Sequence, residues 1–301
     1  MSRIIAYIPT YSQTEAEPLE RPYTRLSNDE IAAHFTDDKY RSKPSMYMDV
    51  IDSIINTRPD VKLVVADGRS TDSVRGGLIA HHYQANAEYD LMLYAGKKSQ
   101  WWIFNDILAK YATEETEYFI YSSSDVIWQM DWVEEAIKAF EANPKLQILF
   151  PCVNRGDPNL PSQIATGPRD IDPIIPPYQP AARAKVLNAY VMIFRMDFLR
   201  TYGGYPTAWR NCFTESFLNY MCEAMGGEMR ILPRGWCFHW GEGDKWTDGG
   251  SPYYYTEEKG VFDAIMNDVL MHKAMNLMSV DFLKKKLYRT DEKFNMEPAN
   301  D

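Results

Sequence analysis

Cysteine is scarce in this chain. Cys152, Cys212, Cys222 and Cys237 are the only four in 301 residues. They form no CxxC pair and no close Cys/His cluster, which argues against a finger-type zinc site and fits free thiols in a reducing compartment. Long apolar runs are also missing: nothing approaches the roughly 18 uninterrupted apolar residues that a membrane helix needs. The opening MSRIIAYIPTY has only a short apolar segment before Pro9, so it does not read as a signal peptide. Positive charge is in deficit, with 32 Lys and Arg against 42 Asp and Glu and a net charge of −10, which disfavours nonspecific attraction to nucleic acid or an anionic membrane surface. Internal repeats are absent. The expectation is a cytosolic, soluble chain with no membrane span, long enough for one large core or two modest ones.

What is present is an alternation of strands and helices. Arg3 to Ile8 is a β-branched run closed by Pro9 and Thr10, and residues 12 to 44 are polar, irregular and interrupted by Pro18, Pro22 and Pro44. Met46, Val50, Ile51, Ile54 and Ile55 recur at helical spacing and stop before Pro59. VKLVVADG (61–68) is a second strand breaking into a Gly turn, and this strand, helix, strand order predicts βαβ winding and a parallel sheet. The pattern continues through a helix at 101–111, a strand at 118–121, a helix at 132–140 and a strand at 146–150. Eight prolines between 151 and 180 predict an extended loop region rather than core. Beyond it come a strand at 186–194, a helix at 213–225, two short strands at 229–232 and 236–239, and one long amphipathic helix from Phe262 to Leu287.

In open parallel sheets ligands bind at the carboxyl ends of the strands, and three such places carry candidate chemistry. ADGRSTD sets Asp67, Ser70 and Asp72 at the exit of the second strand, where a carboxylate could accept hydrogen bonds from a base or ribose; an Asx-capped turn explains the same residues. YFIYSSSDVIW ends a buried run on three serines and Asp125, a possible ligand for Mg²⁺ or Mn²⁺ if a diphosphate and water complete the shell, or simply a turn residue. Glu215 opens a helix and could act as a general base or as a first-turn acid stabilised by the helix dipole. His239, in WCFHWG, is a candidate metal ligand or a satisfied core histidine.

Taken in order, these segments resemble nucleotide-sugar glycosyltransferases of family two with the GT-A fold. RIIAYIPTY is similar to that family's first strand and its IPTYN ending, and LVVADGRSTD to its IIVVDDGSTD, which grips the nucleoside. The stretch from Ala95 to Phe140 is similar to the run from an Asn-containing helix through the DxD motif into a pgWLe helix. YGGYPTAWRNCFTESFLNYMCEAMGG is similar to GGFde, the ED catalytic segment and the helix ending in Gly. The resemblance covers about residues 3 to 241, with 12–44 and 151–180 outside it. It departs from the family pattern where Ser123, Ser124 and Asp125 replace a pair of aspartates and where TES replaces ED.

The resemblance implies an α/β chain with the GT-A fold: a Rossmann-like, mostly parallel central sheet flanked by helices, with a long C-terminal helix. Residues 1–150 would form the nucleotide-sugar-binding half and 151–301 the acceptor-binding and catalytic half of one continuous domain. It implies donor binding by Thr10, Asp67, Asn105, Ser124 and Asp125, a Mn²⁺ or Mg²⁺ ion held by Asp125 and His239, and Glu215 as the catalytic base. The partner would be a nucleotide-diphosphate sugar, the product inverted, and the acceptor a protein, a glycan or a modified DNA base. Lys97 and Lys98 could add charge near the phosphates, and residues 241–258, with Trp246 and Tyr253 to Tyr255, read as a lid. A noncatalytic nucleotide- or glycan-binding relative is the alternative. A sugar nucleotidyltransferase fits less well, because PTYSQTEAE follows the first strand in place of a Gly-rich basic loop.

Overall fold

The computed structural model describes residues 3–11, 27–31, 43–84, 88–96, 99–129, 131–154, 163–176, 189–208, 215–240 and 251–288, with the backbone alone for 43–45 and 251–258. Strands β1 (Ile4–Thr10), β2 (Lys62–Asp67), β3 (Asp90–Leu93), β4 (Tyr118–Ser122), β5 (Val126–Trp128), β6 (Leu146–Val153), β7 (Val191–Arg195) and β8 (Glu228–His239) form one sheet in the order β3-β2-β1-β4-β7-β6-β8-β5. Pairings β3–β2, β2–β1, β1–β4 and β6–β8 are parallel, while β7 is antiparallel to both neighbours and β5 is antiparallel to β8. Two reversals through β7 return β6 and β8 to the direction of β4. The C-terminal ends of β1, β2, β4 and β8 therefore lie along the same edge of the sheet.

Alternation within β1 shows how the sheet is buried on both faces. Ile4, Ala6 and Ile8 face one core with α1 (Lys43–Thr57), α2 (Asp72–Gln84) and α4 (Trp132–Ala142). Ile5 and Tyr7 face the other, with α3 (Gln100–Tyr111), α5 (Met196–Tyr202), α6 (Glu215–Ala224), α7 (Ser251–Ala274) and α8 (Val280–Leu287). Two-sided burial is why the strands read as near-continuous apolar runs. Among the described residues no helix is long and apolar enough to cross a membrane.

Several expectations are corrected. The helix expected from Phe262 to Leu287 is two helices. α7 ends at Ala274, Asn276 adopts φ +57°, and the Asn276 and Leu277 amides return to the carbonyls of Lys273 and His272, a Schellman closure. Ser279 then caps α8 by accepting from the Phe282 amide at 3.2 Å. The proline-rich segment is not all loop: Pro151, Cys152 and Val153 continue β6 and are buried, the register against β8 shifting between Pro151 and Cys152, where the missing N–H is accommodated. The two short strands at 229–232 and 236–239 are one strand, β8, interrupted in register. The region 12–44 contains a helical turn at 28–31, where the Ser27 hydroxyl accepts from the Glu30 amide and the Glu30 carboxylate accepts from Ser27, bringing Ile31 into the core. From Ser251 the expected lid is helix; residues 241–250, with Trp246, lie outside the described residues, as do Lys97, Lys98 and the Tyr253–Tyr255 side chains.

Helix α2 is absent from the sequence expectation because Gly76 and Gly77 lower its intrinsic propensity. Tertiary packing explains Gly77, whose added Cβ would stand 3.2 Å from Met48 Cε where α1 and α2 approach. The Gly203-Gly204 turn after α5 is tighter still. Gly204 has φ +121°, and a Cβ there would fall 2.3 Å from Asn105 Oδ1. Gly204→Ala should therefore destabilise the protein by about 3 kcal/mol. Gly203→Ala, with φ +81° but nothing within 4 Å of the new Cβ, should cost only about 1 kcal/mol. Thermal melts of the two variants check the contrast.

Candidate active site

The exits of β1 and β2 are locked together. The Asp67 carboxylate is fully buried: Oδ1 accepts the amides of Arg69 (3.1 Å) and Ser70 (2.9 Å), and Oδ2 accepts the hydroxyls of Ser70 and Thr10, the latter at 3.2 Å. The Arg75 guanidinium stands 3.5 Å from Oδ1. Four internal donors match the roughly four lone-pair sites of a carboxylate. These contacts tie Asp67 and Thr10 into the turn at the exits of β1 and β2. Arg69 is held at φ +80° to make it, a left-handed conformation that is uncommon outside glycine.

Ser122 and Ser123, at the end of β4, are both engaged. Ser122 Oγ accepts the Trp128 indole N–H at 3.0 Å, and the Ser123 hydroxyl donates to Asp125 Oδ1. Ser124 is partly exposed, and the phenol of Tyr47 donates to the Tyr11 carbonyl at 3.0 Å. The chain reverses here, with the Val126 amide reaching back to the Ser123 carbonyl, and β5 pairs with the end of β8 so that Val126 lies opposite His239. This brings Asp125 Oδ2 within 3.2 Å of His239 Nε2, with the Asp125 side chain 28% exposed and that of His239 8% exposed. The imidazole stacks on Tyr190 at 3.8 Å between ring centroids, and its backbone amide donates to Asn154 Oδ1 at 2.6 Å. Burial pushes the Asp125 carboxyl up, but attraction to His239 and hydrogen bonds from His239, Ser123 and the backbone outweigh it and hold the group below its ordinary value.

The donor set at this edge is a carboxylate oxygen and an imidazole nitrogen. Two neighbouring ligands of an octahedral ion with bonds of about 2.1 Å stand about 3.0 Å apart, close to the observed 3.2 Å separation. Among the described residues no cluster of three or more His, Cys, Asp or Glu side chains is placed to hold an ion. Asp125 and His239 by themselves would supply two ligands of a divalent cation, the rest having to come from elsewhere.

Glu215 is the first residue of α6 and is partly exposed. Tyr121, in β4, donates its phenol hydrogen to Gln100 Oε1 at 3.0 Å. Burial raises that phenol, and the charges of Asp125 and Glu215 raise it further. Tyr205, stacked on Trp101 at 4.2 Å, also feels Glu215 after the effect of burial. Asn105 is turned towards this loop. Its Oδ1 accepts the Tyr205 amide at 2.7 Å and its Nδ2 donates to the Tyr205 carbonyl at 2.9 Å, so its amide holds the turn after α5.

Tyr47, Tyr121, Tyr190 and Asn154 were not singled out in the sequence. Tyr47 falls within an amphipathic helical run and has no local signal; Tyr121 could have been noticed as the aromatic residue just before the serines. On α8, Lys286 pairs with Asp268 and Lys284 donates to the Thr201 carbonyl at 3.2 Å.

Neither a protein-family model nor a curated protein sequence matches this chain. Solved structures do. GalNAc-T7, crystallised with UDP, GalNAc and Mn²⁺, superposes with a TM-score of 0.55 at 12% identity over 94% of this chain and 54% of its own. Staphylococcus aureus TarS 1–349 does so with a TM-score of 0.53 at 12% identity over 88% of this chain and 65% of its own, and the same fragment with UDP-GlcNAc gives 0.53 at 12% identity over 88% and 66%. This chain thus spans between about half and two thirds of these three chains. At such identity the likeness carries the architecture alone, and it agrees with the strand order and flanking helices described above: the chain has the GT-A fold of nucleotide-sugar glycosyltransferases.

Proposed function

We propose that this chain is a metal-dependent, inverting glycosyltransferase that moves a hexosyl or pentosyl group from a nucleotide-diphosphate sugar to an acceptor hydroxyl on a protein, a glycan or a modified DNA base. One observation carries the proposal. The Asp125–His239 pair, 3.2 Å apart, sits at the strand edge where open α/β sheets bind ligands. The Mn²⁺ and UDP of GalNAc-T7 and the UDP-GlcNAc of TarS, named for those structures, lend support.

In this reading the nucleoside lies against the turn that Asp67 and Thr10 hold, with Ser124 and Asp125 beside the diphosphate. Asp125 and His239 would hold Mn²⁺ or Mg²⁺, which when bound offsets the negative charge developing on the leaving diphosphate. Ser123, by donating to Asp125 Oδ1, leaves Oδ2 directed at His239. Tyr190 fixes the imidazole plane from one face. Glu215 takes the proton from the acceptor hydroxyl as its oxygen attacks the anomeric carbon from the side opposite the leaving diphosphate, which inverts that centre. Asn105 holds the backbone of Tyr205, whose ring stacks on Trp101.

A thermal-shift screen of nucleoside diphosphates and their sugars tests the proposal. At least one should raise Tm in the presence of Mn²⁺ and do so less after chelation, because a ligand of the native state must stabilise it by mass action. No metal-dependent shift with any of them would overturn it.

A further inference from the structure

The sheet ends on β3, and among the described residues no strand pairs with its outer side. Tyr94, just past β3, gives its amide to the Asp67 carbonyl of β2 at 3.1 Å. Hydrogen-bonding direction alternates along a strand, so Asp90, Met92 and Tyr94 turn their backbone groups to β2 while Leu91 and Leu93 turn theirs outward. Edges of this kind are commonly blunted by lysine or proline, and DLML has neither. Side chains alternate as well: Met92 and Tyr94 pack on the core that holds α3, and Leu91 on the core that holds α2. The part of α2 nearest this edge is apolar too. Gly77 approaches Met48 of α1, and Ile79 and Tyr83 stand about 200° and 240° round the helix from Gly77, turned away from α1. Both are exposed, Tyr83 at 77%, and so is Leu93.

We propose that this edge is the interface for a second copy of the chain, the two β3 strands pairing antiparallel about a two-fold axis at Met92. Leu91 then pairs with the partner's Leu93, and Leu93 with the partner's Leu91, each pair exchanging both of its N–H···O=C bonds. Charge favours a copy of this same strand as the occupant. In this register Asp90 lies opposite the partner's Tyr94, and in each chain the Lys110 ammonium stands 5.8 Å from the centroid of the Tyr94 ring. A carboxylate of one copy thus meets an ammonium of the other. Asp90 is paired with Lys62 at 2.8 Å and Lys110 with Asp106 at 2.6 Å, so positive and negative groups balance at each end of the contact, and the net charge of −10 on the whole chain does not oppose it there. On the other face of the sheet, Leu91, Leu93, Ile79 and Tyr83 meet the same four residues of the copy, an isologous arrangement. Because the paired strands run in opposite directions, the strand exits of the two copies open at opposite edges of the joined sheet. Neither candidate active site is covered, and the inference stands apart from the glycosyltransferase proposal.

Light scattering after gel filtration tests the proposal. A short strand with one helix face makes a small interface of the transient kind, so the mass of the parent protein should rise towards twice 34.9 kDa as its concentration is raised to about 100 μM. Leu93→Lys, at an exposed side chain, sets an unpaired charge into the joint and should stay near the mass of one chain at the same concentration while melting like the parent. Met92→Cys reads the register. Residues facing each other without backbone hydrogen bonds in an antiparallel pair have Cα atoms about 4.5 Å apart, within the span of about 4.4–6.8 Å that a disulfide bridges. Oxidised glutathione should therefore link two copies of Met92→Cys, seen on a nonreducing gel, and should not link Asp90→Cys, whose copies stand about 13 Å apart in this register. Cys152, Cys222 and Cys237 are buried, and the parent run beside the variants controls for its own cysteines. A parent that keeps the mass of one chain throughout, a dimer that Leu93→Lys leaves intact, or a Met92→Cys that links no better than Asp90→Cys overturns the proposal. Should Met92→Cys melt well below the parent, the Leu93→Lys result decides.

Discussion

Glu215→Gln is expected to slow sugar transfer by about 10²- to 10⁴-fold while leaving Mn²⁺-dependent nucleotide binding within about twofold of the parent. The substitution keeps the shape of the side chain and removes its ability to accept a proton. Because Glu215 is the first residue of α6, the lost charge also forfeits a helix-dipole interaction worth about 0.3–1 kcal/mol, a small change in Tm that separates loss of chemistry from loss of fold. Initial rates measured beside nucleotide titrations give both readings from the same preparations. An unchanged rate would remove Glu215 as the base. Nucleotide binding by a parent protein that shows no turnover with any donor would instead favour a noncatalytic binding role.

Asp125→Ala is expected to weaken Mn²⁺-dependent nucleotide binding by at least about 100-fold and to abolish measurable transfer. The carboxylate is one of two protein donors facing each other at this edge, and it also accepts the Ser123 hydroxyl. Asp125→Asn separates these roles: it retains an acceptor for Ser123 but no charge, so it should recover stability without recovering metal-dependent binding. Titrating nucleotide with and without Mn²⁺ into both variants measures the difference. Intact metal-dependent binding in Asp125→Ala would reduce the Ser122–Asp125 segment to a capped strand end.

The site was partly legible because strand exits punctuate a sequence sharply. Tyr118 to Tyr121 is apolar because β4 is buried on both faces, and the serines mark where its ladder gives way to a turn. Asp125 and His239 could be named separately from such breaks. Their approach to 3.2 Å across 114 residues depends on β8 returning parallel to β4 and on β5 folding back against it. The helix expected over 262–287 failed for a local reason: its apolar spacing runs on through Leu277 and Met278, while the stop is made by Asn276 in the left-handed region and the restart by the Ser279 cap. Those capping signals are present in the sequence and were outweighed there by periodicity.

By itself the sequence determined the class of fold and the order of its parts, because βαβ winding follows from buried strands alternating with amphipathic helices, and burial is written in residue type. Only the tertiary structure decided what each polar side chain faces. Asp67 is enclosed by four donors, Asn105 grips the Tyr205 backbone, and Tyr47 donates to the Tyr11 carbonyl. A carboxylate, an amide or a phenol has the same donors and acceptors in any sequence. Which of them a ligand can reach is set by the neighbours that long-range strand pairing brings within about 3 Å.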